Sequence, residues 1–141
     1  MKQRQVILAS ASRTRGDLLR NAGVAFRVVR PDVDEEAMKR ELAAFAPSKL
    51  AAALAERKAL SISRARRDAI VIGADQVLSF EGEALGKPAS REDAVERLRA
   101  MRGKVHVLET AVVCARDGAN QWSHLARPDL PVEGGLRHLG Q

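Results

Sequence analysis

The chain has 141 residues, 45% of them apolar and 30% charged, which is the composition of one soluble globular domain. No apolar run approaches the roughly 20 residues that a membrane-spanning helix requires, so we expect no membrane association. A single cysteine, Cys114, excludes an internal disulfide and suits a reducing compartment, from which we expect a cytoplasmic protein.

The net charge of +6 is concentrated near the N-terminus. Residues 1–30 carry seven basic side chains and one acidic side chain, and basic and acidic groups balance in the rest of the chain. A protein that binds nucleic-acid polymers more often spreads basic residues among aromatic ones, and this sequence has no tyrosine, one tryptophan and three phenylalanines. The pattern therefore favours a local anion site over a nucleic-acid interface.

The first part of the chain predicts a strand, a helix and a second strand. Val6–Ala9 is a short apolar run, and the serines that follow it suit a turn and a helix N-cap. We predict a helix over residues 13–22 that ends at Gly23 and turns three apolar side chains inward, namely Leu18, Leu19 and Ala22. A strand over residues 24–29 and an acidic connection then lead to a short helix near residues 37–44.

The second part of the chain continues this alternation. Pro47 begins an alanine-rich helix to about Arg64, and residues 69–74 form a continuous apolar run, the pattern of a strand covered on both faces. Four further elements follow: a hairpin of residues 76–80 and 83–85, a helix capped by Ser90 that ends near Arg102, a strand over residues 105–114, and a strand over residues 121–125. Strands that alternate with helices predict an α/β domain in which helices flank a mixed β-sheet.

The segment from Ser10 to Arg15 is the first candidate for chemistry. A strand, a turn of small residues and a helix start bring free backbone N–H groups to the positive end of the helix dipole. Arg13 and Arg15 add donors for phosphate oxygens. The alternative is a plain helix N-cap with solvated arginines, which the pattern alone would favour. The charge bias of the same segment favours the anion site.

Two acidic residues are candidates for catalysis or metal binding. Asp75 follows an apolar run, so we place it at the C-terminal end of a core strand, where ligand sites of open α/β sheets gather. A carboxylate there could act as a base on water or hold a divalent metal between phosphates, although a turn-forming aspartate is an equally good interpretation. Glu35 could be its metal or base partner, but taken alone a solvated acidic turn is the commoner outcome.

Two lysines are candidates for phosphate binding. Lys58 lies on an apolar side of its predicted helix, together with Ala51, Leu54, Ala55 and Ile62. Its side chain either snorkels to solvent, which is the commoner outcome, or points its ammonium into a cleft. Lys87 follows the predicted hairpin, and alone it would be a surface-loop residue.

In combination, these segments resemble the Maf family of nucleoside-triphosphate pyrophosphatases. Eight elements follow the family's order: residues 7–12 with Arg15, Leu18 and Leu19; Gly23 and Phe26; residues 31–35; Ala55 with Lys58 and Ala59; residues 71–77; residues 86–88; Asp93 and Ala94 with Leu98; and Gly103 with His106. The Asp-Gln-Val form of residues 75–77 resembles the branch that acts on 7-methyl-GTP more than the branch that acts on dTTP and UTP, which usually has Asp-Thr.

The resemblance implies a mixed-sheet fold with a central cleft, like that of inosine-triphosphate pyrophosphatases. It also implies hydrolysis of a nucleoside triphosphate to monophosphate and pyrophosphate with Mg²⁺ or Mn²⁺. By resemblance Asp75 would be the general base, Glu35 and Asp75 would hold the metal, and Gln76 would lie beside the nucleobase. Four residues would bind phosphate: Ser10, Arg15, Lys58 and Lys87. Gly16 stands where the family commonly has a second arginine, and Arg13 is the candidate to replace it.

The resemblance covers residues 6 to about 113. We therefore divide the chain into a Maf-like domain, residues 1–118, and an atypical C-terminal tail, residues 119–141. Family members are longer, with a second half that supplies part of the nucleotide pocket, so we expect the C-terminal part of the fold to be missing. An active pyrophosphatase is the first hypothesis; a catalytically inactive truncated remnant or a septum-inhibition-type binding protein is the second, and a small nucleic-acid-binding domain is the least favoured. A homodimer is a further hypothesis.

Overall fold

The computed structural model describes residues 4–10, 12–85, 88–127 and 129–131, with side chains as far as Arg127. Within these ranges the chain forms seven strands and four helices. In chain order they are β1 (Val6–Ala9), α1 (Arg13–Asn21), β2 (Arg27–Val29), α2 (Glu35–Glu41), α3 (Pro47–Ser63), β3 (Ile70–Phe80), β4 (Glu83–Leu85), α4 (Arg91–Met101), β5 (Val105–Arg116), β6 (Ala119–Ala126) and β7 (Asp129–Pro131).

The strands belong to one mixed sheet in which the order is β2-β1-β3-β5-β6. β1 runs parallel to both β2 and β3, whereas β3 and β5 are antiparallel. β5 also pairs antiparallel with β6 and, nearer its own start, with β7. β4 folds back on the end of β3. This arrangement confirms the predicted α/β domain with a mixed sheet and flanking helices.

The helix α3 packs against one face of the sheet and forms the core with it. The buried side chains are mostly small or aliphatic; among them are Ala51, Leu54, Ala55, Ala59 and Ile62 of α3 with Val71, Ala111 and Val113 of the sheet. Gly73 permits the close approach, because a Cβ at this position would meet the carbonyl oxygen of Ala55 and would lie 2.8 Å from the Cβ of Ala59. The side of α3 that carries Lys58 is therefore held against the middle of β3.

One edge of β3 is open in its middle. β1 pairs with β3 only as far as Gly73, and β4 pairs with β3 only from Leu78 onward. Between these two pairings, and within the ranges described above, residues 74–77 pair with β5 on one side and with no strand on the other. We call residues 74–77 the β3 gap. It forms the floor of the cleft that contains the candidate site.

Asp75 lies in the middle of a strand, so its predicted position at the end of a strand is wrong. The two strands predicted over residues 69–74 and 76–80 are one strand of 11 residues, because β5 pairs with β3 without interruption from Val71 to Ser79. The strand that ends beside Asp75 is β1. The side chain of Asp75 therefore does lie beside the C-terminal end of a parallel strand. That strand is β1, which neighbours the strand β3 to which Asp75 belongs.

The helix boundaries follow their caps. The helix predicted over residues 37–44 begins earlier, at Glu35, because the side chain of Asp34 accepts a hydrogen bond from the N–H of Ala37. The predicted cap of α4 is confirmed, since Ser90 accepts a hydrogen bond from the N–H of Asp93.

The inward face predicted for α1 is wrong. Leu18 is 64% exposed, Ala22 is also exposed, and Leu19 is half-buried. The buried side of this helix is centred on Gly16, and Leu18 lies about 200° further around the helix axis.

The chain continues in the sheet beyond residue 118. The strand predicted over residues 121–125 is β6, and the sequence analysis did not predict β7. Residues 132–141 of the expected tail lie outside the described ranges. No helix among the described residues is long and apolar enough to cross a membrane.

Candidate active site

A buried lysine joins two carboxylates at the centre of the cleft. Lys58 Nζ lies 2.9 Å from Asp75 Oδ1 and 2.5 Å from Glu35 Oε1. The side chain of Lys58 is 8% exposed, that of Asp75 is 15% exposed, and that of Glu35 is about half-exposed. The α3 helix thus places an ammonium between the middle of β3 and the first turn of α2.

This contact decides between the two outcomes considered for Lys58. The side chain does not snorkel to open solvent, because its ammonium is held by Asp75 and Glu35 inside the cleft. The hydrogen bond from Lys58 lowers the pKa of Glu35 below its ordinary value, and partial burial opposes this effect. Two carboxylates share one cation, so the cluster carries an excess negative charge that a second cation could neutralise.

The serine turn after β1 forms the wall beside this cluster. Ser10 is 4% exposed, and its Oγ accepts hydrogen bonds from the N–H of Ser12 at 2.9 Å and from Arg15 Nη1 at 3.3 Å. Ser12 caps α1 by accepting a hydrogen bond from the N–H of Arg15 at 3.3 Å. The helix N-cap is therefore confirmed, and the hydrogen bond to Ser10 directs Arg15 towards the cleft.

A pocket of about 490 Å³ connects the serine turn with the charged cluster. Its lining includes Ser10, the two basic residues Arg30 and Lys58, and the three acidic residues Asp34, Glu35 and Glu36. Arg30 was counted in the basic N-terminal segment but was not predicted to be part of a site. Its position after β2 gave no signal, because only the sheet order shows that β2 and β1 end on the same side.

The remaining predicted site residues are less closely placed. Gln76 follows Asp75 along β3 and therefore faces the opposite side of the sheet, where its amide lies 3.4 Å from Thr110 Oγ1. Arg13 is exposed in the first turn of α1, and within the described part of the chain it makes no hydrogen bond or ion pair with the cluster. Lys87 lies outside the described residues.

A family model described as Maf-like protein matches residues 5–130. The chain belongs to the Maf family. This match extends beyond residue 113, where the resemblance seen in the sequence ended, and it includes all of the clustered residues described above.

Individual Maf relatives agree with this assignment. The chain is 48% identical over 129 residues to a nucleoside triphosphate pyrophosphatase of Rhodospirillum rubrum, covering 90% of this chain and 64% of the relative. It is 47% identical to a protein of the same name from Hyphomonas neptunium, with 90% and 65% covered. A 7-methyl-GTP pyrophosphatase of Brucella abortus is 41% identical over 124 residues, with 86% and 62% covered. The chain thus spans a little less than two thirds of the length of these curated relatives.

The cluster of Lys58, Asp75 and Glu35 contains carboxylate oxygens, which are the ligands that hard divalent cations prefer. Glu35 and Asp75 both contact the ammonium of Lys58, so the two carboxylates face the same part of the cleft. Among the described residues, no group of three or more histidine, cysteine, aspartate or glutamate side chains could hold a metal. Mg²⁺ is commonly bound by one or two carboxylates together with substrate phosphates, so the two carboxylates fit this ion without further protein ligands.

Proposed function

We propose that this Maf chain hydrolyses nucleoside triphosphates to nucleoside monophosphate and pyrophosphate. The observation that carries the proposal is the contact of Lys58 with both Asp75 and Glu35, beside the pocket lined by Ser10. The cluster provides a carboxylate for proton transfer, a pair of carboxylates for a divalent cation, and donors for phosphate oxygens. The names of the relatives from Rhodospirillum rubrum and Hyphomonas neptunium support the same activity.

The triphosphate would bind in the pocket beside the serine turn. Ser10 and Arg15 lie on either side of the N-cap of α1, where the helix dipole favours negative charge, and Lys58 lines the same pocket as Ser10. We extend this role to Lys87, and we assign Arg13 the part of the second arginine that the family has at position 16. Phosphoryl transfer depends mainly on positioning and charge neutralisation, which such a set of cations supplies.

Asp75 would act as the general base. Its Oδ1 accepts the hydrogen bond from Lys58, and no described side chain donates to Oδ2, so this oxygen can accept a proton from water. The water oxygen then forms a bond to phosphorus in the α–β anhydride. The anhydride bond breaks, its electron pair goes to the leaving phosphate oxygen, and monophosphate and pyrophosphate are released.

We propose that Mg²⁺ or Mn²⁺ is required and that Glu35 and Asp75 hold it. When bound, a divalent cation neutralises the developing charge on the phosphate oxygens. Glu35 is suited to this role because the hydrogen bond from Lys58 lowers its pKa and so favours the carboxylate form that binds a cation.

We include 7-methyl-GTP among the proposed substrates. Gln76 follows the proposed base directly, as in the branch of the family that acts on this nucleotide. The name of the Brucella abortus relative supports this choice.

Nucleotide binding without turnover is the second candidate function. The observation that favours it is the position of Lys58 Nζ, which already occupies the space between the two carboxylates where a divalent cation would bind. For either function we propose a cytoplasmic protein. Pyrophosphate release from nucleoside triphosphates, measured for the wild type beside Asp75→Asn, separates the two functions.

A further inference from the structure

We propose that a hollow along the β3 gap binds the nucleobase of the substrate, that Phe45 stacks on the base, and that the open backbone edge of β3 hydrogen-bonds to it. The proposal rests on the proposed function, since it names the part of the cleft that would recognise the nucleoside. It assigns a role to Phe45, which the sequence analysis did not single out.

The hollow has the shape and lining of a site for a flat aromatic ring. Its volume is about 380 Å³, and eight of its eleven lining residues are apolar, among them Phe45, Leu50, Leu54, Val77 and Leu85, although polar atoms make up nearly half of the lining surface. The polar members of the lining include Lys39, Asp75 and Gln76. An apolar cavity with a few polar groups at fixed positions is the usual character of a small-molecule site.

The ion pair of Lys58 and Asp75 joins this hollow to the proposed phosphate pocket. Lys58 lines the pocket beside Ser10, and Asp75 lines the hollow beside Phe45. A nucleoside triphosphate has a polyanionic end and an apolar aromatic end, separated by the α-phosphate and the ribose. A polar pocket and an apolar hollow that meet at the proposed general base match this order.

Phe45 differs from the other aromatic side chains of the chain in its contacts. The guanidinium of Arg20 lies over Phe26, the ammonium of Lys104 lies over Phe80, and the ring of Trp122 stacks on His124. Phe45 has no such cation or ring contact with any described residue. It lines the hollow and is 45% exposed, so part of its ring surface is accessible to a base.

The turn that carries Phe45 is anchored through its backbone and through the residues on either side. The turn connects α2 to α3, and the N–H of Phe45 donates a hydrogen bond to the carbonyl oxygen of Leu42 at 2.9 Å. Leu42 and Leu50 on either side are buried, which anchors both ends of the turn. The backbone at Phe45 is thus held beside the hollow, which limits the backbone entropy lost when a ligand stacks on the ring.

The β3 gap supplies the hydrogen bonds. Ala74 and Val77 at the two ends of the gap are less than 9% exposed, Asp75 is partly buried and Gln76 is exposed, and on one side residues 74–77 have no strand partner among the described residues. Unpaired backbone groups in a buried place are costly, and nearly all of them find a partner in native proteins. The polar edge of a nucleobase carries donors and acceptors that can satisfy this strand edge as another strand would.

Binding measurements on Phe45 variants test the proposal separately from hydrolysis. The probes are α,β-methylene analogues of ATP, GTP and dTTP, which cannot be cleaved to pyrophosphate, and inorganic tripolyphosphate, which has no base. We expect Phe45→Ala to weaken binding of the analogues by about 10-fold or more, because base–aromatic stacking is lost. Tripolyphosphate affinity should not change, and Phe45→Trp should retain analogue binding.

Trp122→Ala is the matched control, because Trp122 is an aromatic side chain of similar exposure on β6, away from the hollow. Unchanged analogue binding in Phe45→Ala would overturn the proposal, and so would an equal loss of tripolyphosphate binding. A wild-type protein that binds the analogues and releases no pyrophosphate from triphosphates would contradict the proposed hydrolysis, whereas a selective effect of Phe45 would still support the nucleobase site.

Discussion

Lys58 Nζ lies 2.9 Å from Asp75 Oδ1, so a salt bridge joins the middle of α3 to the middle of β3. Both side chains are largely buried, and Gly73 lets the helix approach the strand closely enough for the contact. A buried lysine is expensive unless its charge is compensated. Here the compensation comes from Asp75 and Glu35, the two residues proposed to act on the substrate.

Replacing Lys58 should destabilise the fold through the carboxylates that lose their partner. We expect Lys58→Met to lower the free energy of unfolding by about 1–3 kcal/mol, the usual range for a buried polar group left unsatisfied. The same change should raise KM for a nucleoside triphosphate, since a phosphate donor is removed. Urea unfolding and steady-state kinetics measure the two effects.

A double-mutant cycle identifies the source of the lost stability. In the Lys58→Met, Asp75→Asn double variant no aspartate charge is left unpaired, so most of the stability should return. Additive losses in the double variant would show that Lys58 and Asp75 are not coupled and would contradict the role of the ion pair.

Stability should depend on pH through Glu35. Its pKa is lowered in the folded protein, chiefly by the hydrogen bond from Lys58, so its contribution is present above the ordinary value of about 4.5 and is lost as the pH falls through the folded value. The wild type should therefore have a higher Tm than Glu35→Gln near neutral pH, and the difference should shrink as the solution is acidified below about pH 4.5. Thermal unfolding of both proteins across this range measures it.

Glu92→Gln is the control for this titration, because Glu92 is an exposed acid in α4, a separate helix. It should show little difference from the wild type at any pH. A Tm difference between wild type and Glu35→Gln that stays constant into the acidic range would contradict the role of the Lys58 hydrogen bond.

Replacing Gly73 or Gly16 with alanine should change the free energy of unfolding in opposite directions. An added Cβ at Gly73 meets the backbone of α3, so we expect Gly73→Ala to destabilise the protein by about 1–3 kcal/mol and to reduce activity by moving Lys58. At Gly16 the nearest atoms are 3.6 Å away, and the residue is inside α1, so Gly16→Ala should stabilise the protein by about 0.5–1 kcal/mol. Urea unfolding of both variants tests the contrast; a neutral Gly73→Ala would mean that α3 can shift freely.

The charged cluster shows what the sequence could and could not predict. The helical period placed Lys58 among apolar residues and so marked it as unusual, and the motifs marked Asp75 and Glu35. Their mutual contact could not be predicted, because residues distant in sequence meet only through the sheet order and the approach of α3. The predicted extent of β3 was wrong for a related reason. The strand continues past Asp75 because it pairs with β5, which lies later in the chain.

Phe45 shows a second limit. An aromatic residue in a connection between helices has no periodicity that distinguishes a binding residue from a partly buried one. Only the position of the turn beside the β3 gap, and the ring contacts of the other three aromatic residues, single it out. The strand β7 was missed because its three residues are too few to show alternation.

The most direct test of the central claim is pyrophosphate release from a panel of canonical and modified nucleoside triphosphates, including 7-methyl-GTP, with Mg²⁺ or Mn²⁺. The wild type is compared with Asp75→Asn, and Asp68→Asn serves as a control because Asp68 is an exposed aspartate just before β3. We expect turnover by the wild type and by Asp68→Asn, and at least about a 100-fold loss of kcat in Asp75→Asn, the scale of general-base catalysis, with the fold retained. Equal turnover by folded Asp75→Asn, or no pyrophosphate from any substrate with folded wild type, would contradict the account.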